Sequence, residues 1–117
     1  MNKLTIIGNL TKKPELRTTQ DGVSVCSFTV AVNRKKTEKN PNPPADFFNV
    51  TAWRGLGEIC SKFLDKGRKV CVVGSVSVRT WENEGKHGAS LEVTAEDVEF
   101  LSNATTPVDA QTDELPY

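Results

Sequence analysis

With 117 residues and a mass of 12.8 kDa, the chain is long enough for one ordinary domain and too short for two. Its composition, 37% hydrophobic and 26% charged, is typical of a globular domain and excludes a wholly disordered chain. No apolar run approaches the about 20 residues of a membrane span, and the first residues carry no signal-peptide pattern. We therefore expect a cytoplasmic protein without membrane contact, with its three widely spaced cysteines reduced.

The net charge of zero conceals an uneven distribution along the chain. All fifteen Lys and Arg residues lie between Lys3 and Lys86, so residues 1–91 carry a formal charge of +7. Residues 92–117 carry seven acidic side chains and no basic one, a charge of −7. A basic body with an acidic end is expected of a protein that binds an anionic ligand and whose own acidic segment competes with that ligand for the basic surface. The alternative is that these charges are ordinary solvated surface charges.

The first part of the chain is predicted to form two strands with a short extended piece between them. Leu4 to Leu10 has strand character, with a bulge or bend expected at Gly8. The short piece covers Leu16 to Thr18. From Val23 to Asn33 apolar and polar residues alternate, but the apolar residues move from the odd to the even positions of the strand and so from one face to the other. This change predicts a bulge or bend near Cys26.

The middle of the chain contains a polar loop, a third strand and one helix. Residues 34–45 (RKKTEKNPNPPA) are charged and rich in proline, which is typical of a long exposed loop. Residues 47–54 (FFNVTAWR) have strand character. Apolar residues then recur at helical spacing from Leu56 to Leu64, and Gly67 is expected to be the helix C-terminal glycine.

The last part of the chain is predicted to form a hairpin followed by a tail. Lys69 to Arg79 is a valine-rich strand with Gly74 at its middle, and the returning strand runs from Ala89 to Ala95. Val98, Phe100 and Leu101 are expected to end the ordered part. Residues 82–88 (ENEGKHG) are the expected hairpin tip. Residues 102–117 show no periodicity and few apolar side chains, which predicts a disordered tail.

This order of elements indicates the fold class. Three strands, one helix and two further strands, all expected to be antiparallel and strongly curved, favour a small closed barrel over a flat sheet. The prediction is an all-β protein: a five-stranded OB-fold Greek-key barrel with one helix between strands 3 and 4. The barrel is expected over residues 1–101, and residues 102–117 are expected to be a flexible acidic tail.

Few residues suit catalysis, and we predict no enzyme, no bound metal and no cofactor. His87 is the sole histidine and has no second ligand at zinc spacing. The segment 54–57 (RGLG) lacks the spacing and the Lys-Ser/Thr of a phosphate-binding loop. Three clustered acids, Glu96, Asp97 and Glu99, leave a magnesium-dependent nuclease as an alternative.

Binding of single-stranded nucleic acid requires exposed aromatic faces and a cationic surface together. Phe47 and Trp53 are six residues apart on one predicted strand and so share a face, whereas Phe48 points to the core. Trp81 follows Arg79 at the end of another strand, where exposure is expected. Burial of the three rings inside the barrel is the alternative. Three other aromatic residues follow the apolar phase and are expected in the core: Phe28, Phe63 and Phe100.

Taken in order, these segments resemble the bacterial and phage single-stranded DNA-binding proteins. The resemblance is carried by residues 2–10 (NKLTIIGNL), 28–32 (FTVAV), 46–53 (DFFNVTAW) and 79–81 (RTW). The last five residues (DELPY) resemble the acidic, proline-containing tip that ends these proteins. The resemblance implies an OB barrel that assembles as a homotetramer and binds single-stranded DNA without sequence specificity.

Carried over position by position, the resemblance assigns base stacking to Phe47, Trp53 and Trp81. Phosphate contacts fall on Lys66 and Arg79. Further basic residues lie around the predicted ends of the aromatic strands. The full set expected to contact phosphates is Arg34, Lys35, Lys36, Arg54, Lys66 and Arg79. Where the family usually has a tryptophan in the long loop, this chain has charged residues. Salt should therefore weaken DNA binding more strongly here than in family members that carry that tryptophan.

The tip is expected, by the same resemblance, to recruit proteins of DNA replication, recombination and repair. It consists of Asp113, Glu114, Leu115, Pro116 and Tyr117. Tyr117 replaces the usual terminal phenylalanine, and the short segment before the tip suggests a phage or accessory version. The alternative is an OB-fold scaffold subunit of a primosome-like assembly with minor DNA binding. RNA stays open as a ligand, because stacking does not read the 2′-hydroxyl.

Overall fold

The computed structural model describes residues 1–101, which form six strands and one helix. The strands are β1 (Leu4–Leu10), β2 (Glu15–Thr18), β3 (Ser24–Val32), β4 (Asp46–Trp53), β5 (Lys69–Asn83) and β6 (Lys86–Leu101). The helix, α1 (Arg54–Phe63), connects β4 to β5. The predicted tail and its tip, residues 102–117, lie outside the described residues.

Five of the strands close into a barrel. Their order is β1-β5-β6-β4-β3, and β1 returns to β3 through the pairs Asn9↔Ala31 and Leu10↔Val30. Within residues 1–101 the short β2 pairs with β3 alone, along the edge of β3 that is not paired with β4. Five barrel strands with a helix between the third and the fourth confirm the predicted OB fold.

One pairing in the barrel is parallel, so the prediction of an all-antiparallel sheet is wrong. β4 and β6 run in the same direction from Phe48↔Leu91 to Thr51↔Thr94. The other pairings around the barrel are antiparallel. A closed ring of five strands cannot alternate in direction all the way round, because five is odd. At least one neighbouring pair must therefore be parallel.

The core is built from alternate residues of the barrel strands, most of them β-branched. Valine suits the narrow interior of a strongly curved sheet because its branched side chain packs well on a pleated surface. The largest fully buried side chains are Val30, Val50, Val70, Val72, Val93, Cys26 and Cys60. Phe28 is buried among them, and Phe100 packs against the cluster from its edge, as predicted for both.

Helix α1 packs against the barrel through two small residues. Gly57 and Cys60 are its buried positions, and Leu64 follows them on the same side. Burial raises the pKa of the Cys60 thiol to about 12, so the thiol stays protonated at neutral pH. Gly67 lies four residues beyond the last helical residue, Phe63, so its predicted role as the helix C-terminal glycine is wrong.

Phe63 is exposed, which contradicts its predicted place in the core. Its side chain is 56% accessible and meets Phe100 at a ring-centroid distance of 6.1 Å. The reason is the docking of the helix on Gly57 and Cys60, which leaves Phe63 beside the contact rather than under it. Helical periodicity identifies an apolar stripe but not which part of a wide stripe meets the barrel.

A bulge or a bend is predicted at Gly8 and near Cys26, and the described strands have no bulge at either position. The register of β1 against β5 continues through Gly8, which approaches the backbone of Ala31 so closely that a Cβ atom would lie 2.3 Å from its carbonyl oxygen. The register of β3 against β4 also continues through Cys26. The phase change has another cause: Val25 is buried although it is on the outward side, where it lies between its cross-strand partners Trp53 and Arg17.

The β5–β6 hairpin is longer than predicted and carries the structure's clearest strand irregularity. Its turn consists only of Glu84 and Gly85, both with positive φ, as a two-residue type I′ turn requires. The predicted tip over residues 82–88 was therefore too wide. The register shifts between Val73 and Gly74, in the middle of β5 as the glycine there suggested.

Candidate nucleic-acid interface

The outward side of β4 carries the two predicted stacking residues of that strand. Val50 and Ala52 point into the barrel, and the alternating positions point away from it. Phe47 is 58% exposed and Trp53 is 46% exposed. Phe48 points inward and packs against the core, as predicted. Both outward rings are therefore accessible.

The β5–β6 hairpin brings the third predicted ring to the same side of the sheet. Asn49 of β4 is paired with Glu92 of β6, and Glu92 is paired with Ser77 of β5. Because side chains alternate along a strand, Arg79 and Trp81 lie on the same side as Ser77. Trp81 is half exposed. We call this side the outer face, defined by Phe47, Asn49, Thr51, Trp53, Glu92, Ser77, Arg79 and Trp81.

Trp81 is positioned by a glycine on the opposite strand of the hairpin. It pairs with Gly88, and a Cβ atom at that position would lie 1.9 Å from the Cζ2 atom of the indole. The ring therefore lies directly over Gly88, where only a residue without a side chain fits. Thr80, Glu82 and His87 line the same shallow hollow. The lone histidine is thus an exposed hairpin residue beside the ring.

The predicted basic residues surround the outer face unevenly. Arg79 lies on it, two residues from Trp81, and Arg54 directly follows Trp53 as the exposed first residue of α1. Lys35 and Lys36 are exposed in the loop between β3 and β4. Lys66 lies in the turn after α1 and does not line the hollows found on the outer face within residues 1–101.

Arg34 is held in an ion pair beside Phe47. Its Nη2 donates to Oδ1 of Asp46 at 2.8 Å, and its Nε donates to both carboxylate oxygens at 3.1 Å. This hydrogen bonding lowers the pKa of Asp46 below its ordinary value and raises the pKa of Arg34. Part of the charge predicted to contact phosphates is therefore neutralised, and the pair ties the two ends of the long loop together.

The ion pair predicts a pH-dependent contribution to stability. A carboxyl whose pKa is lowered by folding stabilises the protein above its unfolded pKa, and the effect disappears as the pH falls through the folded pKa. Wild-type protein should therefore melt slightly above Asp46→Asn at pH 7, and the difference should vanish at pH values well below 3.8. Thermal melting of both proteins from pH 7 to pH 2 measures this, with Arg34→Gln expected to behave like Asp46→Asn. A difference that persists at pH 2 would contradict it.

Three basic residues near the outer face were missed by sequence reasoning. Lys12 and Lys13 line a hollow of about 280 Å³ that also includes Asn49 of the outer face. Arg17 of β2 lines a neighbouring hollow of about 350 Å³ beside Trp53. Their position depends on how the segment after β1 folds over β3. The only signal in the sequence was the Lys-Lys-Pro run before a short strand.

A chain of hydrogen bonds crosses the hollow that Lys12 and Lys13 line. Thr29 Oγ1 donates to Asn49 Oδ1 at 3.1 Å, and Asn49 Nδ2 donates to Oε2 of Glu92 at 3.0 Å. Ser90 Oγ donates to the same oxygen of Glu92 at 3.0 Å. The outer face thus contains one firmly held carboxylate among the aromatic and basic side chains.

The three acids of the nuclease alternative do not converge. Glu96 forms an ion pair with Lys3, whereas Asp97 and Glu99 belong to pairs with Val73 and Cys71 of β5. No cluster of three or more His, Cys, Asp or Glu side chains suited to a metal ion is found within the described part of the chain. Nor does any helix between residues 1 and 101 have the length and apolar character needed to cross a membrane.

The fold and this face define an OB-barrel protein with exposed aromatic rings on its outer sheet. Residues 1–101 match the model of the single-strand binding protein family. The chain is 46% identical over 102 residues to the single-stranded DNA-binding protein of Caldanaerobacter subterraneus, covering 86% of this chain and 68% of that one. It is 43% identical over 113 residues to single-stranded DNA-binding protein 2 of Listeria monocytogenes, covering 96% and 71%. This chain belongs to the single-strand binding protein family.

Proposed function

We propose that this protein binds single-stranded DNA without sequence specificity and is not an enzyme. Unpaired bases stack on Phe47, Trp53 and Trp81, and basic side chains contact the phosphates. The observation that carries the proposal is the exposure of all three rings on one outer face. Stacking of this kind accepts any base, because every base presents a flat π-face. The relatives named single-stranded DNA-binding proteins support the same ligand.

Fluorescence titration with oligo-dT tests this function directly. Trp53 and Trp81 are the only two tryptophans, so their emission should be quenched when bases stack on them. Affinity should fall steeply as salt rises, because bound cations are released from the DNA. Quenching that is absent, or that occurs only with duplex DNA, would contradict the proposal. An oligo-rU arm distinguishes DNA from RNA as the preferred ligand.

Lys12 and Lys13 supply phosphate contacts in this proposal. Each phosphate contact on single-stranded DNA contributes about 0.7 to the slope of log affinity against log salt. The double variant Lys12→Ala/Lys13→Ala should therefore lower the slope by about 1.4 and weaken binding at low salt. Titrations at several salt concentrations measure this. Lys62→Ala/Lys69→Ala removes the same charge away from the outer face, and an equal change in that control would contradict the assignment.

The position of the Trp81 ring is expected to matter as much as its presence. Gly88→Val places branched carbon atoms where the ring now lies, so the indole must leave its present position. Because one stacked base contributes about 1–3 kcal/mol, affinity for oligo-dT should fall roughly tenfold. The melting temperature should change little, because the hairpin end is exposed. Ala89→Val, which points to the other side, is the control, and equal affinity of the two variants would contradict the role of Gly88.

We further propose that residues 102–117 form an acidic tail whose tip, Asp113 to Tyr117, recruits proteins of DNA replication, recombination and repair in the cytoplasm. This assignment rests on the resemblance of the tip to the end of the family's sequences. Deleting residues 102–117 should leave oligo-dT affinity intact or slightly higher, since acidic competition is removed, and should abolish capture of such partners. The scaffold alternative predicts instead that oligo-dT binding is weak in the full chain.

A homotetramer is also proposed. Ile7 on β1 is half exposed, and it lies beside Cys71 and Val73 on an outward strip of β1 and β5. Leu4 to Gly8 of β1 pair with β5 on one side only, within the described residues. An apolar strip beside an unpaired strand edge suits pairing with a second copy. Light scattering should give the mass of four chains, and a monomer mass at micromolar concentration would contradict this.

A further inference from the structure

Glu92 is an unexpected residue at the centre of a surface proposed to bind a polyanion. It is half-buried on β6, level with Asn49 of β4 between the two aromatic positions of that strand. A carboxylate repels phosphates, so it cannot serve the backbone contacts that Lys12 and Lys13 supply in the same hollow. The part of a nucleotide that suits a contact with Glu92 is a neutral one.

The hydrogen bonds around Glu92 fix which of its atoms is left for a ligand. Oε2 accepts from both Asn49 and Ser90, and Thr29 in turn orients the Asn49 amide. Within residues 1–101 no hydrogen bond or ion pair ends on Oε1 of Glu92. The carboxylate is therefore held in place with one oxygen accepting from the protein and the other directed to no protein donor.

A nucleobase is the neutral group that this position suits. The hollow of about 280 Å³ lies between the outward side chains of β3 and β4. A DNA strand that runs from a base stacked on one aromatic ring of β4 to a base stacked on the other therefore passes over this hollow. An ionised carboxylate can only accept hydrogen bonds. Cytosine presents an exocyclic amino donor at C4, whereas thymine and uracil present a carbonyl acceptor there, which the carboxylate repels.

We propose that Glu92 accepts a hydrogen bond from the exocyclic amino group of a base in this hollow and so biases one position of the bound strand toward cytosine over uracil or thymine. The inference rests on the proposed function of binding single-stranded DNA. It adds a local preference to stacking that is otherwise indifferent to sequence. Glu92 acts here on the base, and the lysines of the same hollow act on the phosphates.

The test compares oligo-dC, oligo-dU and oligo-dT of about 12 nucleotides on the wild-type protein and Glu92→Gln. Oligo-dU matches oligo-dC in size and differs in its C4 carbonyl and N3–H. Glutamine keeps an oxygen for Asn49 and Ser90 but presents an amide that donates to the C4 carbonyl. We expect the ratio of the Kd for oligo-dU to that for oligo-dC to fall about fivefold in Glu92→Gln.

Glu99→Gln is the matched control, because it removes the same charge from the same strand away from the outer face. A ratio that is unchanged in Glu92→Gln, or that falls equally in Glu99→Gln, overturns the inference and leaves the proposed function standing. Quenching by none of the oligonucleotides overturns the proposed function itself. Should Glu92→Gln fail to fold, wild-type protein can be tested with N4,N4-dimethylcytosine and 5-methylcytosine oligonucleotides. A selective loss with the first supports the inference, and equal binding of both overturns it.

Discussion

Phe47→Ala should lower the affinity for oligo-dT between about fivefold and a hundredfold. A base stacked on an aromatic side chain contributes about 1–3 kcal/mol, and each 1.4 kcal/mol corresponds to a factor of ten. The ring projects outward near the start of β4 with more than half of its surface accessible, so its removal takes away a binding platform without opening the core. Quenching of Trp53 and Trp81 during titration measures the change.

The chain contains a closely matched control for this variant. Phe63 is the same residue type with almost the same exposure, 56% against 58%, but it lies on α1 outside the outer face. Phe63→Ala should leave oligo-dT affinity unchanged within a factor of about two. Trp81→Ala should lower the affinity for oligo-dT as Phe47→Ala does. Its loss of affinity should be larger than that of Phe28→Leu, a change in the core. Equal losses in Phe47→Ala and Phe63→Ala would show that the outer face has no special role.

Gly74→Ala should destabilise the barrel by about 1–3 kcal/mol or more. A Cβ atom at Gly74 would lie 2.0 Å from the carbonyl oxygen of Thr94 and 3.0 Å from Cα of Ala95. Both neighbours are backbone atoms of β6, so no side chain can rotate away to make room. The loss is a large part of the about 5–15 kcal/mol that stabilises a typical domain. Urea unfolding followed by fluorescence should show a clearly lower midpoint.

Gly55→Ala makes the same chemical change at a position with open space. No atom lies within 4 Å of a Cβ atom built on Gly55, which is the second residue of α1. Alanine is the better helix former by about 1 kcal/mol, so this variant should be as stable as wild type or slightly more stable. If Gly74→Ala unfolds at the same urea concentration as Gly55→Ala, β5 and β6 do not approach as closely as the structure indicates.

The parts of the candidate site that the sequence predicts are those set by alternation within one strand. Phe47 and Trp53 are six residues apart, so a single strand places them on one side whatever the rest of the fold does. Trp81 needs two further conditions. One is an antiparallel return of β6 beside β5, which a two-residue turn at Glu84 and Gly85 provides. The other is the pairing of β6 with β4, which puts the hairpin on the side of Phe47 and Trp53.

The parts that the sequence does not predict depend on contacts between elements. Phe63 has an apolar helical position, yet its exposure follows from which residues of α1 touch the barrel. Lys12 and Lys13 reach the outer face only because the segment after β1 folds over β3, and no periodic pattern encodes that. The parallel pairing of β4 with β6 is a property of closing five strands into a ring. The sequence pattern of a single strand therefore does not indicate this parallel pairing.

Photo-crosslinking to oligo-dT followed by mass spectrometry tests most directly whether unpaired DNA lies on the outer face. The expected crosslinks fall on β4, at Phe47 and Trp53, and on the hairpin, at Trp81. Crosslinks confined to the exposed apolar side of α1, at Ile59 and Phe63, would contradict this account, because that side is also aromatic and accessible but belongs to a different surface.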